Sequence, residues 1–285
     1  MPQLHTFLNA LEPHLKNLLQ DLEQNHIGQR IADRDHTVWK ENPTEISNRL
    51  GWLDSPHNMG DQLDTINAVV QAVRQAGYTH SLLLGMGGSS LAPDVFRRTF
   101  GMAQGYLDLS VLDSTHPDAV LACAKRFDPA TTLYIPATKS GGTVETLSFL
   151  KYFYNQTVAA LGKTEAGRHF VAITDPDSGL AKLATELDFR HTFLNDPNIG
   201  GRYSALSLFG LVPAALMGVD IDRLLHEVRD TAAAGKNGGT GLPLGAAIGS
   251  AALQNRNKLT LINSPALYYS GAWVEQLIAE SSGKE

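Results

Sequence analysis

Two short runs concentrate small donor groups: GMGGSSLAP at 85–93 and ATKSGGTVET at 137–146. In the first, Gly85, Gly87 and Gly88 let the backbone approach a ligand closely or adopt positive φ. Ser89 and Ser90 then stand where a helix begins, and there the free N–H groups and the helix dipole favour an anion. In the second, Thr138, Ser140 and Thr143 supply hydroxyls, while Gly141 and Gly142 expose backbone N–H groups. Thr143 is expected at the N-cap of the next helix, with Glu145 in its first turn. Caps alone account for either run taken singly. Two such runs at neighbouring strand ends favour a phosphate held without arginine clamps. Other ligand classes lack their spacing. The first run misses the last glycine and the acidic ribose partner of a dinucleotide fingerprint, and no GxxxxGK[ST] occurs. No His/Cys set has zinc-ligand spacing and no GxSxG elbow appears. Neither a metal nor a cofactor is expected.

The elements that must position these runs follow a regular alternation. Short apolar stretches at 80–86, 109–113, 131–138 and 169–174 read as strands, each followed by a helix-period stretch. That pattern predicts an α/β fold, a three-layer parallel sheet of flavodoxin-like type covered on both faces. Ligands of such sheets bind beyond the carboxyl ends of the strands, where both runs lie. Residues 1–65 read as a helical lead-in and 66–235 as the α/β domain that carries both runs. AAAGKNGGTGLP at 232–243 is the best linker candidate. Beyond it, 236–285 reads as one helix, a strand at KLTLINS (258–264) and a helix at GAWVEQLIAE (271–280). One strand and two helices make only an incomplete second α/β domain, so this strand is expected to leave apolar surface exposed.

Composition sets further bounds. Of 285 residues, 43% are hydrophobic and 18% charged, enough for a sizeable core. A net charge of −6 without a Lys/Arg block argues against a nucleic-acid surface. No apolar run reaches the ~18 residues of a membrane span, and the start MPQLHTFLNALEP has no signal-peptide pattern. A cytoplasmic setting is therefore expected. The single cysteine, Cys123, lies in a helical pattern and reads as a buried structural thiol. His116, in DSTHPD, reads as a helix-start residue rather than an acid/base group.

Taken together, GMGGSSLAP, ATKSGGTVET, NIGGRYSALS and AESSGK resemble the successive signatures of the glucose-6-phosphate isomerase family, in that family's order. The first two belong to the wider sugar-isomerase (SIS) fold, and the last two are more specific to the isomerase. The stretches RDHTVWKENPTEISNRLGWLD and WVEQLIAESSGKE are most similar to the isomerase part of bifunctional transaldolase/glucose-6-phosphate isomerases. The resemblance implies interconversion of glucose 6-phosphate and fructose 6-phosphate by base-catalysed 1,2-proton transfer through an enediolate. It implies that Ser89, Thr138, Ser140 and Thr143, with Lys139 close by, surround the phosphate. Gly87, Gly88 and Gly201 would bring backbone to the substrate. Arg202 would face the C1/C2 end, and Glu280 would be the base. Those residue types suit the reaction, which needs one carboxylate and fixed positive charge near the developing oxyanion. A homodimer is a further implication of the resemblance.

Three departures from the family pattern stand out. Thr138 replaces a common serine, SGGT replaces a bulkier stretch, and the family's ring-opening histidine and later lysine would lie beyond Glu285. The last departure reads as C-terminal truncation, and it predicts very slow isomerisation by this chain alone. Two other functions share the phosphate loops: a non-catalytic SIS-type sugar-phosphate sensor and an aminosugar-phosphate isomerase. GGRYS and AESSGKE favour the enzyme over the sensor, since a sensor needs no base. No amine-handling residues mark the aminosugar enzyme.

Overall fold

The computed structural model describes residues 11–236 and 241–283. Residues 1–10, residues 237–240 of the linker stretch and Lys284 of AESSGK lie outside the described residues. Five strands, β1 (His80–Gly85), β2 (Asp108–Leu112), β3 (Thr132–Ala137), β4 (Val171–Thr174) and β5 (His191–Leu194), form one parallel sheet in the order β2-β1-β3-β4-β5. The order is that of flavodoxin-like doubly wound sheets.

The inner strands β1, β3 and β4 are buried almost throughout because both faces of the sheet are covered. Leu83, Leu109, Ile135 and Ile173 face a core closed by the helices Leu63–Gln75, Leu208–Leu216 and Ile221–Lys236. Leu82, Leu84, Tyr134 and Ala172 face a second core closed by Val144–Leu161 and Gly179–Glu186. All of these strand residues are at most 1% exposed. The alternation between two covering layers makes the expected three-layer arrangement. Leu208–Leu216 is apolar and buried on every side, so it sits under other elements rather than at the surface.

Two expectations needed correction. β5 was not read as a strand: His191 and Thr192 are half-buried and Leu194 is 52% exposed, so this edge strand carries no continuous apolar run. The stretch 258–264 was read as a strand but takes no regular structure, and Leu259, Leu261 and Ile262 are exposed. Its composition suits a strand, yet no neighbouring strand meets it among the described residues, and an unpaired strand has no ladder to stabilise it. Helices Gly241–Leu253 and Ser270–Ser282 flank it, the first resting on the lead-in helix Glu12–Gln24. The linker stretch likewise begins as helix, because Ile221–Lys236 runs into it. No helix among the described residues is long and apolar enough to cross a membrane.

Candidate active site

Between β1 and β3 the chain's direction of winding reverses, which opens a crevice at the carboxyl ends of the two strands. Gly85 and Ala137 end these strands side by side in register, so both hydroxyl-rich loops border that crevice. Gly87 has φ +54, and Gly88 meets a different demand. A Cβ on Gly88 would lie 2.2 Å from the Gly201 carbonyl oxygen. The GGS turn after β1 and the GGRYS turn are thus pressed together backbone to backbone. Ser204 Oγ seals the contact, lying 3.0 Å from the Gly88 carbonyl oxygen and 2.6 Å from that of Gly201.

Thr143 occupies the N-cap position of Val144–Leu161, but its hydroxyl makes no cap bond. It pairs instead with the hydroxyl of buried Thr138 at 2.7 Å. Ser140 Oγ accepts from the Gly142 N–H at 3.2 Å. The first-turn N–H groups of that helix are therefore left uncapped and available to an anion, as the dipole favours. Gly141, at φ +69, packs its loop against the next one: a Cβ there would lie 2.7 Å from Ser178 Cβ and from the Leu180 nitrogen. Ser89 ends the 3₁₀ turn Gly87–Ser89. Ser90 takes the N-cap position of Leu91–Phe100 and donates to the Gly87 carbonyl at 3.1 Å. Lys139 turns to the next strand end, where its ammonium pairs with the Asp175 carboxylate and donates to the Pro197 carbonyl at 2.7 Å. Burial pushes the Asp175 carboxyl up from its ordinary value, against the lowering effect of Lys139.

The last two signatures meet across the mouth of the same crevice. Arg202 Nη1 lies 3.6 Å from Glu280 Oε2, a loose ion pair between half-exposed side chains. Arg202 Nε donates to Ser281 Oγ at 2.9 Å, and that hydroxyl is also 2.7 Å from the Tyr203 hydroxyl. Glu280 Oε1 accepts from Gln276 Nε2 at 3.0 Å. That same Nε2 is 3.0 Å from where a Gly87 Cβ would stand, so the amide lies beside the first loop. Among the described residues, Gln276 Oε1 is buried without a partner. A carboxylate steadied by an amide beside a guanidinium can take a proton from carbon while the cation stabilises the adjacent oxygens.

The sequence reading missed Gln276, Ser281 and Tyr203. The i,i+4 spacing of Gln276 and Glu280 was the one local signal available, since it places both on one helix face. His116 behaves as expected: its Nδ1 accepts from the Asp118 N–H at 3.3 Å and starts the helix Pro117–Arg126. Cys123 is half-buried, and burial pushes its thiol up, away from thiolate reactivity.

The fold and site together define an α/β protein with a doubly wound parallel sheet of SIS type, hydroxyl-rich loops at its switch point and a carboxylate–guanidinium pair beside them. The family is narrower than that class: residues 13–284 match the phosphoglucose isomerase model, and the chain belongs to that family. It is 33% identical to a glucose-6-phosphate isomerase of Thermus thermophilus over 249 residues, covering 84% of this chain and 57% of that protein. It is 30% identical to one of Carboxydothermus hydrogenoformans, covering 98% and 62%. Among solved structures, a hypothetical protein of Thermus thermophilus superposes with a TM-score of 0.74 at 29% identity, over 97% of this chain and 63% of that one. A glucose-6-phosphate isomerase of Chlamydia trachomatis, 19% identical, shares the fold at a TM-score of 0.70, over 95% and 56%. The chain thus spans about three fifths of the length of the relatives it matches.

Proposed function

We propose that this chain binds glucose 6-phosphate and fructose 6-phosphate and carries the proton-transfer pair that interconverts them. The approach of Arg202 to Glu280, with the carboxylate held by Gln276, is the observation that carries the reading. In this reading the phosphate sits on Ser89, Thr138, Ser140, Thr143 and the uncapped helix start, with Lys139 adding positive charge from its place beside Asp175. Glu280 removes the C2 proton of the open aldose and returns it to C1, while the proton on O2 passes to O1. Arg202 stabilises the enediolate oxygens as charge develops. The reading further treats residues 66–235 as the sugar-phosphate domain behind the lead-in 1–65, and 236–285 as the start of a second α/β unit. A cytoplasmic homodimer fits it.

The test is isomerisation coupled to glucose-6-phosphate dehydrogenase, alongside calorimetric binding of fructose 6-phosphate. Glu280→Gln keeps the shape and the amide contact but removes the base, so turnover should fall by about 10²–10⁴-fold. Binding should stay near parental. A Glu280→Gln protein that turns over at the parental rate would sink the assignment. Binding by the parent, with turnover that does not depend on Glu280, would point to the sensor function instead.

A further inference from the structure

The crevice is completed by a residue from outside the sheet. We propose that Trp52, in the lead-in, is a positioning residue for the Arg202–Glu280 pair, acting through Tyr203 and Ser281. The proposal rests on the isomerase reading for its consequence in turnover, but not for its geometry.

Trp52 stacks on Tyr203 with ring centroids 4.9 Å apart and planes within 10°. The backbone that carries Trp52 is itself fastened to the loop before Tyr203. Leu50 bridges Ile199, and the Gly51 N–H donates to the Asn198 carbonyl at 3.0 Å. Gly51 allows this approach, since a Cβ there would stand 2.9 Å from Asp196 Oδ2 and 3.1 Å from the Asn198 carbonyl oxygen. Leu50 is 5% exposed, so the anchor is buried. The Tyr203 ring is therefore held on one side by a rigid aromatic plane. The Arg202 guanidinium also lies over this ring, its Cζ 5.0 Å from the centroid.

From that ring the hydroxyl reaches Ser281 Oγ, which also takes the Nε–H of Arg202. Two consequences follow. Occupying Nε stops the guanidinium from rotating and turns its Nη edge toward Glu280. Fastening Ser281 also holds the last turn of Ser270–Ser282, which would otherwise fray and carry Glu280 with it. One stacked pair thus sets both members of the catalytic pair. This gives the stretch Gly51–Asp54 a task beyond filling space at the edge of the sheet.

Hydrogen exchange and steady-state kinetics on Trp52→Ala, Trp52→Phe, Tyr203→Phe and Ser281→Ala test the idea. Trp52→Ala should speed amide exchange in both 200–206 and 274–283, and Trp52→Phe should restore most of the protection. Tyr203→Phe and Ser281→Ala, which break only the hydroxyl link and leave the core intact, should loosen 274–283. A displacement of the pair on the scale of 1 Å predicts a loss of about 10²-fold in kcat with KM for fructose 6-phosphate near parental. Parental exchange in 274–283 together with parental kcat in Trp52→Ala or Tyr203→Phe would overturn the proposal. Should the parent's turnover not depend on Glu280, the isomerase reading falls, and the exchange pattern alone still decides whether Trp52 positions the pair.

Discussion

Adding one methyl group at Gly88 should damage both stability and the site. The Cβ of Gly88→Ala would lie 2.2 Å from the Gly201 carbonyl oxygen and 2.4 Å from its carbon. Ordinary carbon–oxygen contacts sit at about 3.3–3.6 Å, so the two turns must part by roughly 1 Å or more. Both atoms met are backbone, so no rotamer change relieves the clash. Overpacking of that kind costs about 1–3 kcal/mol. At about 2–4 °C per kcal/mol for a protein somewhat smaller than this one, Tm should fall by several degrees. The same displacement moves Arg202, one residue along from Gly201, out of line with the first loop, and a misplacement of about 1 Å is worth about 10²-fold in turnover. Gly142→Ala is the stability control: the nearest atom to its Cβ is Ser140 Oγ at 3.9 Å, and its backbone is not left-handed. Thermal unfolding of parent and both variants, with calorimetric titration of fructose 6-phosphate into Gly88→Ala, gives the answer. A Gly88→Ala protein with parental Tm and parental affinity would refute the backbone-contact argument.

Other consequences can be checked with the same protein. Fructose 6-phosphate should raise Tm by mass action, and Ser140→Ala with Thr143→Ala should abolish that shift; an undiminished shift would show that the loop does not hold the phosphate. Burial pushes His169 and His191 below the ordinary 6.5, so below about pH 6.5 the unfolded chain binds protons that the folded chain resists. Stability should therefore fall as pH drops from about 6.5, and replacing both histidines by glutamine should flatten the Tm-against-pH curve in that window. Amides of 256–264 should exchange faster than those of β1, β3 and β4, because the stretch takes no regular structure and exposes Ile262 at 94%; protection equal to that of the sheet would contradict this.

The α/β alternation, the two covering layers and the two glycine- and hydroxyl-rich loops at the strand ends were legible in the sequence because each rests on local order. Continuous apolar runs such as SLLL and TLYI mark strands buried on both faces. Glycines and hydroxyl residues just after them mark strand-to-helix turns wherever they occur. Segments whose state depends on partners were read less well. β5 is an edge strand with half-exposed residues, so its sequence carries little apolar signal. KLTLINS has the composition of a strand but meets no neighbour to pair with. Arg202 and Glu280 were found through whole motifs, and no local periodicity brings a residue after β5 against one in the last described helix. Their approach and the Trp52–Tyr203–Ser281 chain exist only once the lead-in, the sheet and that helix are folded together. The turn to Asp175 that Lys139 makes is of the same kind. Backbone preferences and hydrophobic period act over a few residues and can be read in one dimension; the choice among distant partners for a charge, a ring or an unpaired strand is made by the topology that brings them within reach.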